Sequence, residues 1–180
     1  MKGRVLTRYD STTIALHWAT AASVLALWII GQTADLAPHN IADGIIWPVH
    51  VVWGFVLVAL VAWRIAWRSV GGVGLPPADS GLLHVIAKTT HYLLYILLGV
   101  VLLLGVVNAF VRGYNLFGWF SLPQLGDKAW RRPITGWHEL AANALLVVAL
   151  LHAAAALAHH YVFKDGVLRR MLPTPGQTSL

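Results

Sequence analysis

The sequence predicts an all-α fold, an integral membrane four-helix bundle, on two observations. Of the 180 residues, 58% are hydrophobic and only 11% are charged, a balance typical of bilayer proteins rather than of soluble domains. Four apolar windows are also long enough to cross the hydrocarbon core, which requires roughly 20 helical residues. They run approximately over residues 13–33, 46–67, 91–111 and 137–163. We therefore expect residues 1–180 to form a single transmembrane domain.

The windows can be justified in chain order. The first carries a histidine and lacks the small-residue cleavage pattern of a secretory signal peptide, so we expect it to remain as the first helix. The second is followed by a Gly- and Pro-rich stretch from Ser69 to Ser80, which predicts a loop rather than a domain linker. The third and fourth windows complete the bundle.

The distribution of basic residues predicts that both termini are cytoplasmic. The loop at residues 34–45 contains Asp35 and Asp43 and no Lys or Arg, as expected outside. The last connection departs from the rule, because it carries four basic residues and still must lie outside in a four-span protein: Arg112, Lys128, Arg131 and Arg132. The basic residues assigned to the cytoplasmic side are Lys2, Arg4, Arg8, Arg64, Arg68, Lys88, Lys164, Arg169 and Arg170.

Cysteine is absent, which limits the metal chemistry open to the chain. Disulfides, thiolate metal sites, iron–sulfur clusters and C-x-x-C-H haem attachment are all excluded. There is no Gly-rich phosphate loop, and His138-Glu139 lacks the second histidine of an H-E-x-x-H zinc motif. Histidine is therefore the strongest nitrogen ligand available.

Two histidines in the fourth window point to paired cofactors. His138 and His152 are 14 residues apart, which places them on nearly one helix face and roughly 21 Å apart along the axis. Depth in the membrane pairs His50 with His138 on the outer side and His17 with His152 on the inner side. Bis-histidine ligation leaves no open coordination position and suits electron transfer. We therefore predict that the bundle encloses two b-type haems, with these four histidines as axial ligands.

Alternatives remain open for these side chains. The histidines could instead form hydrogen bonds between helices, and the small residues near them, such as Gly54, could serve close helix packing. His91, at the start of the third window, competes with His17 as a ligand. His39 and His84 lie in predicted connections, where we expect them to be solvated.

His159 is a candidate for quinone chemistry. Pairing it with His138 would stretch the separation of the two haems to about 31 Å, which would hinder electron transfer. Imidazole titrates near neutral pH and can both donate and accept hydrogen bonds, so His159 suits proton exchange with a quinone at the inner haem. The alternative is an interfacial cap beside Tyr161 and Lys164. Ser11 and Arg8, near the same boundary, are further candidate quinone contacts.

Four segments resemble one known family along the whole chain, in the same order. They are IALHWAT around His17, WPVHVVWG around His50, GWHELAANAL around His138, and LHAAAALAHHYVFKDGVLRRMLP over residues 151–173. They resemble the superoxide oxidases, bacterial di-haem b-type cytochromes of the inner membrane. The resemblance implies that electrons pass from periplasmic superoxide through two haems to ubiquinone. It also implies haem ligation by the same four histidines, with no nucleic acid and no obligatory protein partner.

The resemblance gives the basic outer connection a meaning. Superoxide is an anion, so Arg112, Lys128, Arg131 and Arg132 would attract it towards the outer haem. The same residues could instead contact anionic lipid headgroups. The architecture also resembles the membrane subunits of hydrogenases and formate dehydrogenases, which relay electrons from a partner to quinone. A third possibility is quinol oxidation that feeds a soluble periplasmic acceptor. The short outer loops and the length of 180 residues favour a self-contained oxidoreductase.

Overall fold

The computed structural model describes residues 8–77 and 80–173. Its helices are α1 (Ser11–Thr33), the short α2 (His39–Ile41), α3 (Trp47–Val70), α4 (Gly81–Arg112) and α5 (Arg131–Tyr161). Within these two ranges, four helical segments are long and apolar enough to cross a membrane, and they contain α1, α3, α4 and α5. The prediction of a four-helix membrane bundle is confirmed.

Several predicted boundaries were wrong because the helices extend past the apolar windows. α4 begins at Gly81 rather than at residue 91, so His84 lies in its first turn and His91 about three turns inside the helix. α5 begins at Arg131 rather than at residue 137, and α3 continues to Val70. His39 lies in α2 rather than in an irregular connection. Hydropathy identifies the residues that suit the hydrocarbon core of the membrane. The helical hydrogen bonding of the backbone continues beyond them into the polar membrane interface, so the helices are longer than the apolar windows.

Asp10 joins the start of α1 to the end of α3. As the N-cap of α1, its carboxylate accepts hydrogen bonds from the Thr13 backbone N–H at 2.8 Å and from the Trp67 indole at 3.0 Å. It also accepts one from the Val73 backbone N–H at 3.2 Å. These bonds outweigh the effect of burial, which raises the pKa, and they lower the pKa of Asp10 to about 2.

The two sides of the bundle can be defined by the chain itself. The Tyr9 N–H donates to the Arg170 carbonyl at 3.2 Å, and the Trp18 indole donates to the Met171 carbonyl at 2.7 Å. We call the side where α1 begins and α5 ends the terminal side. The opposite side, which carries residues 113–130 between α4 and α5, is the loop side. Lys2 and Arg4, used in the orientation prediction, lie outside the described residues.

All four long helices contribute to one small apolar core. α4 packs mainly against α5, and α1 packs mainly against α3. Many large apolar side chains are exposed on the outside of the bundle, as expected for helices that face lipid. The core consists of Leu27, Leu57, Val61, Leu98 and Leu145.

The loop side is closed by a short hairpin. α4 ends at Gly113, whose φ of 61° is the left-handed conformation that glycine adopts at helix ends. Strands β1 (Asn115–Leu116) and β2 (Phe120–Ser121) then pair antiparallel. The chain reaches α5 through a single 3-10 turn, Lys128–Trp130.

Candidate functional site

The structure brings His50 of α3 and His138 of α5 together near the loop side. Their ring centroids are 6.3 Å apart, with an angle of 83° between the ring planes. Two metal–nitrogen bonds of about 2 Å each, added to the ring radii, give a separation of this order. The two rings are therefore spaced as axial ligands on opposite sides of one metal ion would be.

A hydrogen bond at this loop-side pair determines which ring nitrogen of His138 is free to bind a metal. Its Nδ1 atom lies 3.0 Å from the Val101 carbonyl oxygen, which can only accept, so Nδ1 carries the proton and Nε2 is free for a metal. The buried Nδ1 atom of His50 has no hydrogen-bond partner of normal geometry among the described residues, although the Leu27 backbone lies near this ring. An unsatisfied buried nitrogen is costly and indicates a site completed by another group.

A glycine on a neighbouring helix makes room for the ring of His138. A Cβ atom at Gly105 of α4 would lie 3.0 Å from Cε1 of His138, closer than a side chain normally approaches. A Cβ atom at Gly31 of α1 would lie 3.6 Å from Cε1 of His50, an ordinary contact. At Gly54, which the sequence indicated as a source of space, a Cβ atom would meet nothing within 4 Å. Of these three glycines, only Gly105 therefore leaves space that a histidine ring of the pair occupies.

A second group of histidines lies towards the terminal side. The rings of His91 and His152 are 5.2 Å apart, and His17 lies within electrostatic reach of both. His17 and His152 are partly buried, whereas His91 is exposed on the bundle surface. The structure thus brings three candidates together where the sequence predicted a pair, and the choice between His17 and His91 stays open.

His17 is held by an arginine in this structure. Nη2 of Arg64 lies 3.1 Å from Nδ1 of His17. Because a guanidinium group can only donate, Nδ1 must accept, and the proton of a neutral ring then lies on Nε2. That nitrogen would become free for a metal only if Arg64 released the ring. From the sequence, Arg64 was only one of the basic residues assigned to the cytoplasmic side, and nothing there indicated its contact with His17.

The histidines of the loop-side and terminal-side groups are better suited to bind haem than a bare metal ion. The residues in the ranges 8–77 and 80–173 include no cluster of three or more His, Asp or Glu side chains able to hold a metal. A porphyrin supplies four nitrogens of its own and needs only two axial ligands from the protein. Paired imidazoles on facing helices meet that requirement.

The four basic residues predicted to attract an anion differ in their surroundings. Arg112 donates to Thr135 at 2.8 Å and to Asn108 at 3.2 Å, and Arg131 donates to the backbone carbonyls of Val111 and Arg112. Both arginines are partly buried and tie α4 to α5. Lys128 and Arg132 are exposed, and no carboxylate in the described part of the chain lies within ion-pair distance of either.

The phenol of Tyr114 lies beside this connection. Burial raises its pKa, Arg112 lowers it, and the carboxylates of Asp43 and Asp35 raise it further. The net shift is upward, so the phenol stays neutral at physiological pH. It therefore adds no negative charge to the basic loop side.

His159 forms a pair with a carboxylate at the end of α5. Its Nδ1 atom lies 2.5 Å from Oδ2 of Asp165, and the Asp165 N–H donates to the His159 carbonyl at 3.1 Å. The Val167 N–H donates to Oδ1 of Asp165 at 3.0 Å. The hydrogen bond from His159 is the main cause of a lowered Asp165 pKa. Sequence reasoning missed Asp165, because its only signal was a carboxylate six residues after a histidine at a helix end.

The other candidate quinone contacts also lie on the terminal side. Ser11 lines an open, largely apolar cavity of about 450 Å³ between α1 and α3, together with Thr12 and Trp63. Arg8 lies just before the Asp10 cap. Neither His159 nor Arg8 lines this cavity.

Comparisons with known proteins agree along nearly the whole chain. Residues 8–174 match the family model of prokaryotic cytochrome b561. The chain is 36% identical to cytochrome b562 of Cereibacter sphaeroides over 172 residues, which cover 91% of this chain and 94% of the relative. It is 29% identical to cytochrome b561 homolog 2 of Escherichia coli over 175 residues, 92% of this chain and 91% of the relative. It is 26% identical to the probable superoxide oxidase CybB of Yersinia pestis over 172 residues, 92% and 96% of the two chains.

Proposed function

Because this chain belongs to the prokaryotic cytochrome b561 family of membrane electron-transfer proteins that bind b-type haem, we propose that it carries electrons from superoxide to ubiquinone. The observation that carries the proposal is the presence of two histidine groups at two depths of one bundle, His50 with His138 and His17 or His91 with His152. Such an arrangement suits two haems that form a path across the membrane.

Four histidines are our proposed axial ligands: His17, His50, His138 and His152. The free Nε2 of His138 and the unsatisfied Nδ1 of His50 support the loop-side pair. The burial of His17 supports it over the exposed His91 on the terminal side. When bound, the haems supply one-electron transfer without binding oxygen at an open position. The protein's part is to hold the rings and to exclude water.

Superoxide is our proposed donor because of the charge on the loop side. Lys128 and Arg132 are exposed there, and an exposed positive surface raises the encounter rate of a small anion. The similarity to a probable superoxide oxidase supports the same donor. Two superoxide anions release two electrons and leave as dioxygen. Ubiquinone takes up these two electrons and two protons and becomes ubiquinol.

Ubiquinone is our proposed acceptor, and it binds at the terminal side. We propose that the protein lies in the bacterial inner membrane with its terminal side facing the cytoplasm. His159 is the proposed proton donor: Asp165 holds its Nδ1–H, and Nε2, directed away from the carboxylate, takes a proton from water and passes it to the quinone. Asp165 is only partly buried and can exchange protons with water. Ser11 and Arg8 are further proposed contacts of the quinone.

A visible spectrum recorded during a superoxide pulse tests this function. The purified protein is handled without oxygen before the pulse and is measured with and without added ubiquinone. We expect rapid appearance of a reduced b-type haem band, with reoxidation only when ubiquinone is present. A haem band that responds to dithionite or quinol but not to superoxide would contradict superoxide as the donor.

A second function follows from the hairpin on the loop side. Trp119, at the hairpin, is 95% exposed, and the neighbouring Phe120 is also exposed. An apolar tip of this kind suits docking of an electron-donating partner subunit, with this chain as its relay to quinone. Co-purification of a large subunit that is lost in W119S would favour this function over a self-contained oxidoreductase.

A further inference from the structure

Arg64 is a positive charge inside a membrane-spanning helix. It lies six residues before the end of α3 and is partly buried. Its guanidinium group lies 3.1 Å from Nδ1 of His17 and 5.6 Å from the centre of the Tyr95 ring. Within residues 8–77 and 80–173, no carboxylate lies within ion-pair distance of it.

The surroundings of Arg64 increase the surplus of positive charge. His17, His91 and His152 all lie within its electrostatic reach, and none of them can supply a negative charge. Arg68, one turn further along α3, adds a second cation. Charged groups within a membrane are costly unless they are paired, so this cluster needs an anion that the described residues do not provide.

We infer that Arg64 binds a propionate carboxylate of the terminal-side haem and, through its charge, raises the reduction potential of that haem. The inference rests on the proposed function, since it requires a haem at this histidine group. A guanidinium group matches a carboxylate with two parallel hydrogen bonds, which His17 cannot offer it. The anion belongs to the cofactor itself, so charge pairing and haem binding occur together.

The proposed contact between Arg64 and the propionate carboxylate would also free His17 to bind the haem iron. While Arg64 donates to Nδ1, the Nε2 atom of a neutral His17 ring carries the proton and is closed to a metal. Once Arg64 turns to the carboxylate, Nδ1 can take the proton and Nε2 becomes free. Arg64 is therefore a positioning residue for the ligand as well as a binding residue for the cofactor. A positive charge beside the terminal-side haem also favours transfer of an electron to it from the loop-side haem.

Potentiometric titration of the purified holoprotein tests the inference. In R64Q we expect the midpoint potential of one of the two haems to fall, while the other stays within error of the wild type. In R64K, which keeps the charge but loses the paired hydrogen bonds, we expect a smaller fall. R68Q is the matched control, because Arg68 is exposed, lies over Tyr9 and has the same charge, and we expect a smaller shift than in R64Q.

Haem content is measured on the same samples by the pyridine haemochrome method. Loss of one haem in R64Q with retention in R64K supports the inference, because charge then holds the cofactor. Two haems at unchanged potentials in R64Q would overturn it and would favour a lipid headgroup as the anion. Loss of the same haem in both R64Q and R64K would also support the carboxylate contact, because neither side chain can form the paired hydrogen bonds of a guanidinium group. A single haem in the wild type would instead contradict the proposed two-haem path.

Discussion

At the scale of single residues, the hydrogen bond made by one ring nitrogen decides what the other can bind. The Val101 carbonyl holds the Nδ1 proton of His138 and leaves Nε2 free, whereas Arg64 occupies the acceptor of His17. These partners come from neighbouring helices and depend on how the helices are rotated. Depth along the sequence could therefore pair His50 with His138, but it could not reveal Val101, Arg64 or Asp165.

The first prediction at this scale separates His17 from His91. We expect His17→Ala to lose the terminal-side haem, so that the haem content falls by half, and His91→Ala to keep both haems, because His91 is exposed. The pyridine haemochrome method gives the haem content per protein. His39→Ala, at an exposed position in α2, is the control. Retention of both haems in His17→Ala, with loss in His91→Ala, would contradict this ligand assignment.

The second prediction concerns the carboxylate beside His159. Asp165→Asn should slow ubiquinone reduction on the order of 10-fold, because the amide no longer fixes the Nδ1–H of the imidazole as a carboxylate does. Haem content and haem reduction by superoxide should stay at wild-type levels. Formate or acetate, as small weak acids, should partly restore the rate. Asp127→Asn, which changes a carboxylate on the loop side, is the control. A normal quinone rate in Asp165→Asn would exclude this role.

At the scale of helices, glycine positions decide how closely a neighbour can approach a ring. α4 provides a matched pair, because a Cβ atom at Gly105 would lie 3.0 Å from His138, whereas one at Gly99 would meet nothing within 4 Å. Gly→Ala inside a helix otherwise stabilises by roughly 0.5–1 kcal/mol. The sequence shows both glycines alike, and only the packing of α4 against α5 distinguishes them.

This pair gives the third prediction. Gly105→Ala should displace the ring of His138 and alter the loop-side haem, with a shifted electron paramagnetic resonance signal or loss of that haem. Gly99→Ala should leave the signal unchanged. The spectra of both variants are compared with that of the wild type at equal haem concentration. Identical spectra for the two variants would show that the contact at Gly105 does not matter.

The fourth prediction concerns the junction of α1 and α3 at Asp10. Its pKa in the folded protein is about 2, below the usual aspartate value of 3.8, so its charged form stabilises the fold. That contribution is present above the unfolded pKa and is lost as the pH falls from about 4 through about 2. Thermal unfolding in detergent should show this loss in the wild type. Asp10→Asn should be less stable at neutral pH and should change less over that pH range, and an unchanged profile would contradict the account.

The same scale shows which parts of the fold the sequence could predict. Four apolar windows identified α1, α3, α4 and α5, because a membrane span needs a minimum apolar length. The helix ends were predicted poorly, since α4 starts ten residues and α5 six residues before the expected positions. Polar residues near the boundary are compatible with either a helix or a loop, and only packing of the neighbouring chain decides between them.

At the scale of the whole molecule, the loop side carries exposed positive charges that form no ion pair with a carboxylate in the described part of the chain. Arg112 and Arg131 are used to join α4 to α5, so they are poor positions for testing attraction of an anion. Lys128 and Arg132 are exposed and are better positions. The sequence placed all four together but could not separate the structural pair from the exposed pair.

The fifth prediction follows from that separation. Neutralising Lys128 and Arg132 to Gln should lower the rate of haem reduction by superoxide about 10-fold at low salt and should weaken its dependence on ionic strength. Neutralising Lys164 and Arg169, two exposed cations on the terminal side, makes the same change in net charge and should have little effect. Equal effects of the two double variants would mean that total charge, rather than its position, sets the rate.

The central claim is that one bundle holds two separate haem sites, and haem counting tests it most directly. The full-length protein is measured by the pyridine haemochrome method beside His138→Ala and His152→Ala, which alter one histidine group each. We predict two haems per chain in the wild type and about one in each variant, with different midpoint potentials for the haem that remains. One haem per chain in the wild type would contradict the claim.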